Sequence, residues 1–264
     1  MRIGLALALT AAAVFAQTKA EHGKRVADAA IEALGGQRFL AMEDRVETGR
    51  AYSFYRERLS GLQRAKIYTR YLTRPEPPLA GFFGVRERQA FGKNEEAYYL
   101  LNENEGYDVS FHGARPIDPA THERFRETTW RNILYILRMR LGEPGLVIES
   151  RGSDVVDNQP VEVVEIADSD NRTVTVFFNA STKLPIRQEA FRRNPLTKEK
   201  VEEVTLFAKY RDVGGGVLWP FQIQRQRDGE KIFEIFSETV EINQGLTDNI
   251  FTLPTRVKIL GKKK

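Results

Sequence analysis

The apolar and polar positions of the chain follow three successive patterns. Ile3 to Phe15 is a continuous apolar stretch behind a single positive residue, Arg2, and it runs into the small-x-small sequence Val14-Phe15-Ala16. This order predicts a signal peptide cleaved after Ala16, because the 13-residue stretch is shorter than the roughly 20 residues that cross a bilayer as a helix. Val26, Ala29, Ala30, Ala33 and Leu34 then recur at helical spacing up to Gly35-Gly36, where glycine can take the left-handed conformation that stops a helix. From Val46 the period becomes two. Gly49, Ala51 and Ser53 share one side, and Ala65, Ile67 and Tyr71 alternate with Arg64, Lys66, Tyr68 and Arg70, as strands with one wet face do.

Residues 75–84 interrupt this pattern. Pro75, Pro77 and Pro78 remove backbone donors and fix the chain, so the segment is a loop. It carries Leu79, Phe82 and Phe83, which either fold back onto the core or stand at the mouth of an apolar site. Short strands follow at Val85 to Phe91, Ala97 to Leu101 and Tyr107 to Phe111. A second helix is expected from Pro119 to Leu141, with Pro119 suited to a first turn and Gly142 to a stop. At 100° per residue, Trp130, Ile133, Leu134, Leu137 and Leu141 fall on one face and Arg124, Arg131 and Arg138 on the other. Such a face packs on a sheet, lines a ligand site or touches membrane.

From Leu146 to the end the pattern is almost entirely β. Val174, Val176 and Phe178 share a face, as do Val204, Leu206, Ala208 and Tyr210, and again Trp219, Phe221 and Ile223. Turn signals separate the strands at Asp168 to Asn171, Asn179 to Lys183, Asn194-Pro195, Gly214 to Gly216 and Asp228-Gly229. The expected fold is mainly β with two or more helices. It is an antiparallel meander of roughly ten strands, curved into an incomplete barrel that helices cover or plug.

Removal of residues 1–16 from the 264 leaves 248, a length that suits one substantial core, so residues 17–264 are read as a single domain. The chain has no cysteine, which excludes both a disulfide framework and lipid attachment at a cleavage-site thiol. The 40 Lys and Arg, less Arg2, face 36 Asp and Glu and are interspersed with them; this balance argues against a nucleic-acid partner. The one cationic run is Lys258 with Lys262 to Lys264, a solvated tail or a point of transient contact with an anionic membrane.

Candidate chemistry is sparse. Of the three histidines, His112 and His122 lie near Asp118 and Glu123, but without a standard metal-ligand spacing. No nucleophile elbow, phosphate-cradling glycine loop or dinucleotide fingerprint is present, so the sequence implies no cofactor and supports no catalytic role. What remains is apolar surface on curved sheets. The candidate lining of an apolar cavity is Leu206, Tyr210, Trp219, Phe221 and Ile223 from the strands, Phe82 and Phe83 from the proline loop, and Trp130 from the second helix.

Several segments resemble the periplasmic lipoprotein-carrier-like proteins, also described as outer-membrane lipoprotein-sorting proteins. They are Ala33-Leu34-Gly35-Gly36, the hairpin from Val176 to Asn179 through Thr182 to Arg187, Tyr210-Arg211-Asp212-Val213 leading to Leu218-Trp219-Pro220, Ile242 to Asp248, and Phe251-Thr252-Leu253-Pro254. The resemblance implies an incomplete barrel wrapped around helices, with an apolar cavity that shelters the acyl chains of a lipid or lipoprotein in the periplasm. Hiding about fifteen methylenes from water is worth on the order of 12 kcal/mol. In such carriers an arginine on an early strand helps hold a helical lid closed; Arg50, Arg56 and Arg74 are the candidate counterparts, and the resemblance assigns the role to none of them. The alternative function is a regulatory or sensor protein of the envelope that uses the same fold to bind a membrane-protein partner.

Overall fold

In the computed structural model, residues 4–193 and 197–261 are described, with side chains from residue 19 onward. Met1 to Ile3 and the remaining side chains of the expected signal peptide, the turn at Asn194-Pro195 and the lysines at 262–264 lie outside the described residues.

Thirteen strands form one antiparallel sheet. They are β1 (Asp44–Tyr55), β2 (Arg58–Tyr71), β3 (Val85–Phe91), β4 (Ala97–Leu101), β5 (Gly106–Ser110), β6 (Gly113–Pro116), β7 (Val147–Val156), β8 (Gln159–Ala167), β9 (Thr173–Asn179), β10 (Pro185–Arg193), β11 (Lys200–Asp212), β12 (Leu218–Arg227) and β13 (Glu230–Ile242). The spatial order is 6-5-4-3-2-1-13-12-11-10-9-8-7. The first and last strands pair at the centre, from Arg45 opposite Ile242 to Ser53 opposite Phe233, and each half of the chain fans outward from there. The sheet has more strands than the turn signals suggested and does not close, since β6 and β7 are its two edges.

This order dictates where the helices go. The chain leaves β6 at one edge and enters β7 at the other, so the intervening residues must cross the sheet. They do so as α3 (Pro119–Trp130), α4 (Ile133–Tyr135) and a π turn (Ile136–Arg140). The remaining helices are α1 (Gly4–Leu34), α2 (Gln37–Leu40) and a 3₁₀ turn (Asp248–Phe251). Among the described residues, no helix is long and apolar enough to cross a membrane.

α1 buries Ala27, Ala30, Ile31 and Leu34, the i, i+3, i+4, i+7 stripe of one helical face. It ends at Gly35, at φ 124°, with Gly36 N–H donating to the Ile31 carbonyl at 2.8 Å. A side chain at Gly23 would meet the backbone nitrogen of Ser150 at 2.9 Å, so glycine is what lets α1 lie directly on β7. At the other edge, the C-terminal segment pairs with β6: Ala114 N–H donates to the Lys258 carbonyl at 2.9 Å, and Leu260 N–H to the Ala114 carbonyl at 2.8 Å. Both edges are thus shielded from further strand pairing.

The continuous helix expected from Pro119 to Leu141 is interrupted. Asp118 caps α3, its carboxylate accepting from Ala120 N–H at 2.9 Å, and Pro119 opens it as expected. At Asn132 the backbone is extended (φ −70°, ψ 120°), and the side chain restarts the helix by accepting from Leu134 N–H at 2.9 Å. A buried glutamine on the sheet, Gln188, takes the next free donor, Ile133 N–H, at 2.9 Å. The predicted stripe is therefore divided. Ile133, Leu134 and Leu137 enter the main core, whereas Trp130 joins a separate cluster. The opposite side is not a uniform wet face either, because Arg138 donates to the Met42 carbonyl at 2.7 and 3.2 Å.

Candidate functional site

The main core lies between the sheet and its helical cover. Ala27, Ala30, Ile31 and Leu34 of α1 meet Ile133, Leu134, Ile136 and Leu137 of the crossover, above Val164, Val176, Phe178, Phe207, Trp219 and Phe221. The candidate lining from β12 belongs here: Trp219 is 3% exposed and Phe221 7%, with Ile223 packed at the margin. Tyr210 also packs against this cluster and donates its hydroxyl to the Pro185 carbonyl at 2.7 Å. Burial pushes that hydroxyl well above the ordinary tyrosine range.

Leu206 is placed elsewhere. It is half-buried and belongs to none of the apolar clusters of the described residues, while its neighbour Phe207 is 3% exposed in the main core. Strict alternation would put Phe207 and Tyr210 on opposite faces. Lys209, between them, has φ 57°, and both Phe207 and Tyr210 nevertheless pack at the main core. A non-glycine residue in the left-handed region is uncommon, and nothing in the sequence around Lys209 announces it.

The other candidates form a second cluster under the proline loop. Phe83 and Trp130 are buried with Tyr135 and Met139, and Phe82 packs beside them. Phe83 meets Trp130 edge-on, with ring centroids 5.7 Å apart at 89°. The loop thus folds back through Phe82 and Phe83, whereas Leu79 is 59% exposed. Trp130 is flanked by two guanidinium groups, Arg172 at 4.0 Å and Arg126 at 4.7 Å from the ring. The structure therefore divides the eight candidates: four at the main core, three under the loop and Leu206 outside both.

Polar groups join the cover to the sheet, and sequence reasoning did not find most of them. Arg140, 3% exposed, bonds to Glu143 at 2.7 Å, Asp168 at 2.9 Å and the Trp130 carbonyl at 2.9 Å. Of the three early arginines, Arg74 donates to the Leu141 carbonyl at the end of the crossover at 3.0 Å. Arg50 instead pairs with Glu238 at 3.2 Å, and Arg56 stacks on Tyr55. Inside the sheet, Arg45 lies 4.0 Å over the Trp219 ring and donates to Thr69 at 3.0 Å. Burial raises the Glu87 carboxyl above its ordinary range, against the opposing pull of a Gln89 hydrogen bond and of Arg45 and Arg225.

The histidines have structural surroundings. His122 is buried, with Nε2 2.9 Å from the Asn102 carbonyl, and Asp118 is occupied as a helix cap. His112 lies against the exposed Phe111 ring.

No known protein-family profile matches the chain, and no curated protein matches it. Solved structures do. A DUF1329-family protein from Desulfovibrio piger superposes with a TM-score of 0.59 at 12% identity, over 87% of this chain and 96% of its own. An outer-membrane lipoprotein-sorting protein domain from Vibrio parahaemolyticus gives 0.55 at 11% identity, over 86% and 97%. A LolA-superfamily protein from Nitrosomonas europaea gives 0.55 at 12% identity, over 89% and 98%. At these identities the likeness is one of architecture: this chain has the fold shared by the DUF1329, lipoprotein-sorting and LolA-superfamily structures.

Proposed function

We propose that the protein is exported, cleaved after Ala16, and serves in the periplasm as a carrier or binding protein for lipidic or acylated cargo. The observation that carries this reading is the segmented crossover. The apolar face of the sheet is covered by α1 together with the crossover, whose α4 and π turn bury Ile133, Leu134, Ile136 and Leu137 and are separated from α3 by the break at Asn132. The shared fold with lipoprotein-sorting and LolA-superfamily structures supports the same reading.

The core around Trp219 and Phe221 is packed, and the cavity between α3 and β10–β12 holds about 90 Å³, well below the roughly 300 Å³ at which small-molecule pockets begin. Cargo therefore enters by displacing the cover. Movement of the crossover and α1 would uncover Tyr210, Trp219, Phe221 and Ile223 on one side, and movement of α3 would separate Trp130 from Phe82 and Phe83 on the other.

Titration of the purified protein with a fluorescent fatty acid tests this directly. Saturable binding, and lipid co-purifying with protein taken from its own envelope and seen by native mass spectrometry, are the expected results. Absence of both would overturn the carrier reading. The second reading, a regulatory protein that binds an envelope membrane protein, is favoured by one feature. Tyr55, Leu59 and Leu62 are 67%, 57% and 53% exposed around the β1–β2 turn. Loss of partner capture in Leu59→Asp with unchanged fatty-acid binding would select it.

A further inference from the structure

Arg124 and Thr128 of α3 and Arg131 at its C-cap, spaced i, i+4 and i+7, line a cavity of about 90 Å³ facing β10–β12. Arg225 and Arg227 of β12 line it from the sheet side, so four guanidinium groups share the space with a single carboxylate, Glu203. That carboxylate is already engaged, by Arg192 at 2.7 Å and Arg124 at 3.9 Å. Arg131 pairs with Glu127 at 3.4 Å, and among the described residues Arg225 and Arg227 have no ion pair. The Nε groups of Arg131 and Arg227 are buried without a hydrogen-bond partner.

Four converging cations, two of which carry a buried Nε without a hydrogen-bond partner, are unfavourable unless an anion completes them. The arginine fork matches two oxygens of a tetrahedral oxyanion, and Thr128 and Thr205 bring hydroxyls to the same walls. At about 90 Å³ the cavity is far smaller than a pocket for a whole small molecule and of a scale for a single small anion. Ala190, Val204 and Ile232 make the rest of the lining partly apolar.

We propose that this cavity binds a phosphate-class oxyanion, supplied either by the headgroup of a phospholipid or by free phosphate. The headgroup source rests on the carrier reading; the oxyanion site does not.

Calorimetric titrations with inorganic phosphate and with dihexanoylphosphatidylglycerol below its micelle concentration test the site, with dihexanoylglycerol as the phosphate-free control. At least one phosphate probe should bind saturably at one per chain, and the control should not compete with it. Arg225→Gln combined with Arg227→Gln should weaken that binding by about tenfold or more. Glu203→Gln removes the carboxylate that lines the cavity and should tighten binding severalfold, a gain that misfolding cannot produce. Stronger binding of the phospholipid supports a headgroup site, and equal or stronger binding of inorganic phosphate supports a free-phosphate site. Absence of saturable binding by both probes, or binding unchanged in all these variants, would overturn the proposal. Fatty-acid binding without phosphate binding would remove this site and leave the carrier reading standing; the reverse pattern would remove the carrier reading and leave the site.

Discussion

The Arg140 guanidinium donates to the Asp168 carboxylate at 2.9 Å, and this contact ties the π turn of the crossover to the turn joining β8 and β9. Arg172 reaches the same carboxylate at 2.8 Å from the other side, and Glu143 takes a second bond from Arg140 while also accepting from Gly81 N–H of the proline loop at 3.3 Å. Three connecting segments meet at one buried charge cluster. Arg140→Leu leaves Asp168 and Glu143 buried without their shared partner, a change that costs about 3–5 kcal/mol in such settings. Urea unfolding should show a loss of that size, and a loss below about 1 kcal/mol would mean the cluster does not secure the cover.

The same cluster makes stability depend on pH. Burial alone would raise the Asp168 carboxyl, but bonds from Arg140 and Arg172 outweigh it and hold the group below its ordinary range. The unfolded chain therefore takes up the proton first as pH falls. The contribution is complete above the unfolded value of about 3.9 and is lost as pH drops through the lower folded value. Unfolding midpoints measured from neutral pH downward should fall in that acid range. Asp168→Asn should be less stable at neutral pH and show a shallower acid decline. An unchanged slope would assign the acid sensitivity to other carboxylates.

Phe207 and Leu206 separate the packed interior from its margin. Phe207→Ala should cost about 3–5 kcal/mol, the range for removing a buried aromatic ring. Leu206→Ala, at a half-buried position outside the apolar clusters, should cost less than about 2 kcal/mol. Equal losses in denaturant unfolding would contradict the difference in burial between the two positions.

How much of this was legible beforehand varies with the range of the forces involved. Local signals were read well: Gly35-Gly36 stops α1, Pro119 opens α3, and strands β3 and β4 fall at the residues where period two placed them. The break at Asn132 was missed because the apolar spacing continues unbroken through it. Asn is nonetheless a favoured helix cap, and that signal was available. The left-handed Lys209 has no comparable signal, and strict alternation along β11 points to Leu206 with Tyr210, whereas Phe207 and Tyr210 are the two that pack at the main core. The spacing of the second helix places Arg124, Arg131 and Arg138 opposite its apolar face and says nothing of what they meet. Only the crossover from β6 to β7 turns Arg124 and Arg131 toward Arg225 and Arg227, a relationship across about a hundred residues that no local pattern contains.

Arg74 offers a test of whether the cover moves. Its guanidinium bonds the Leu141 carbonyl at 3.0 Å, fastening the end of the crossover to the strand-loop region that follows β2, yet its own surroundings are exposed. Arg74→Ala should therefore cost only about 0.5–1.5 kcal/mol of overall stability. If cargo enters by displacing the crossover, that energy is removed from the closed form but not from the open one. The open population, and with it the association rate of a fluorescent fatty acid, should rise severalfold, up to about tenfold for 1.4 kcal/mol. The dissociation rate should change less, because the bound form has already given up the Arg74 contact. Stopped-flow mixing at several protein concentrations separates the two rates. An association rate identical to that of the wild type, in a variant whose unfolding confirms loss of the contact, would mean that the cargo reaches its site without opening this end of the cover.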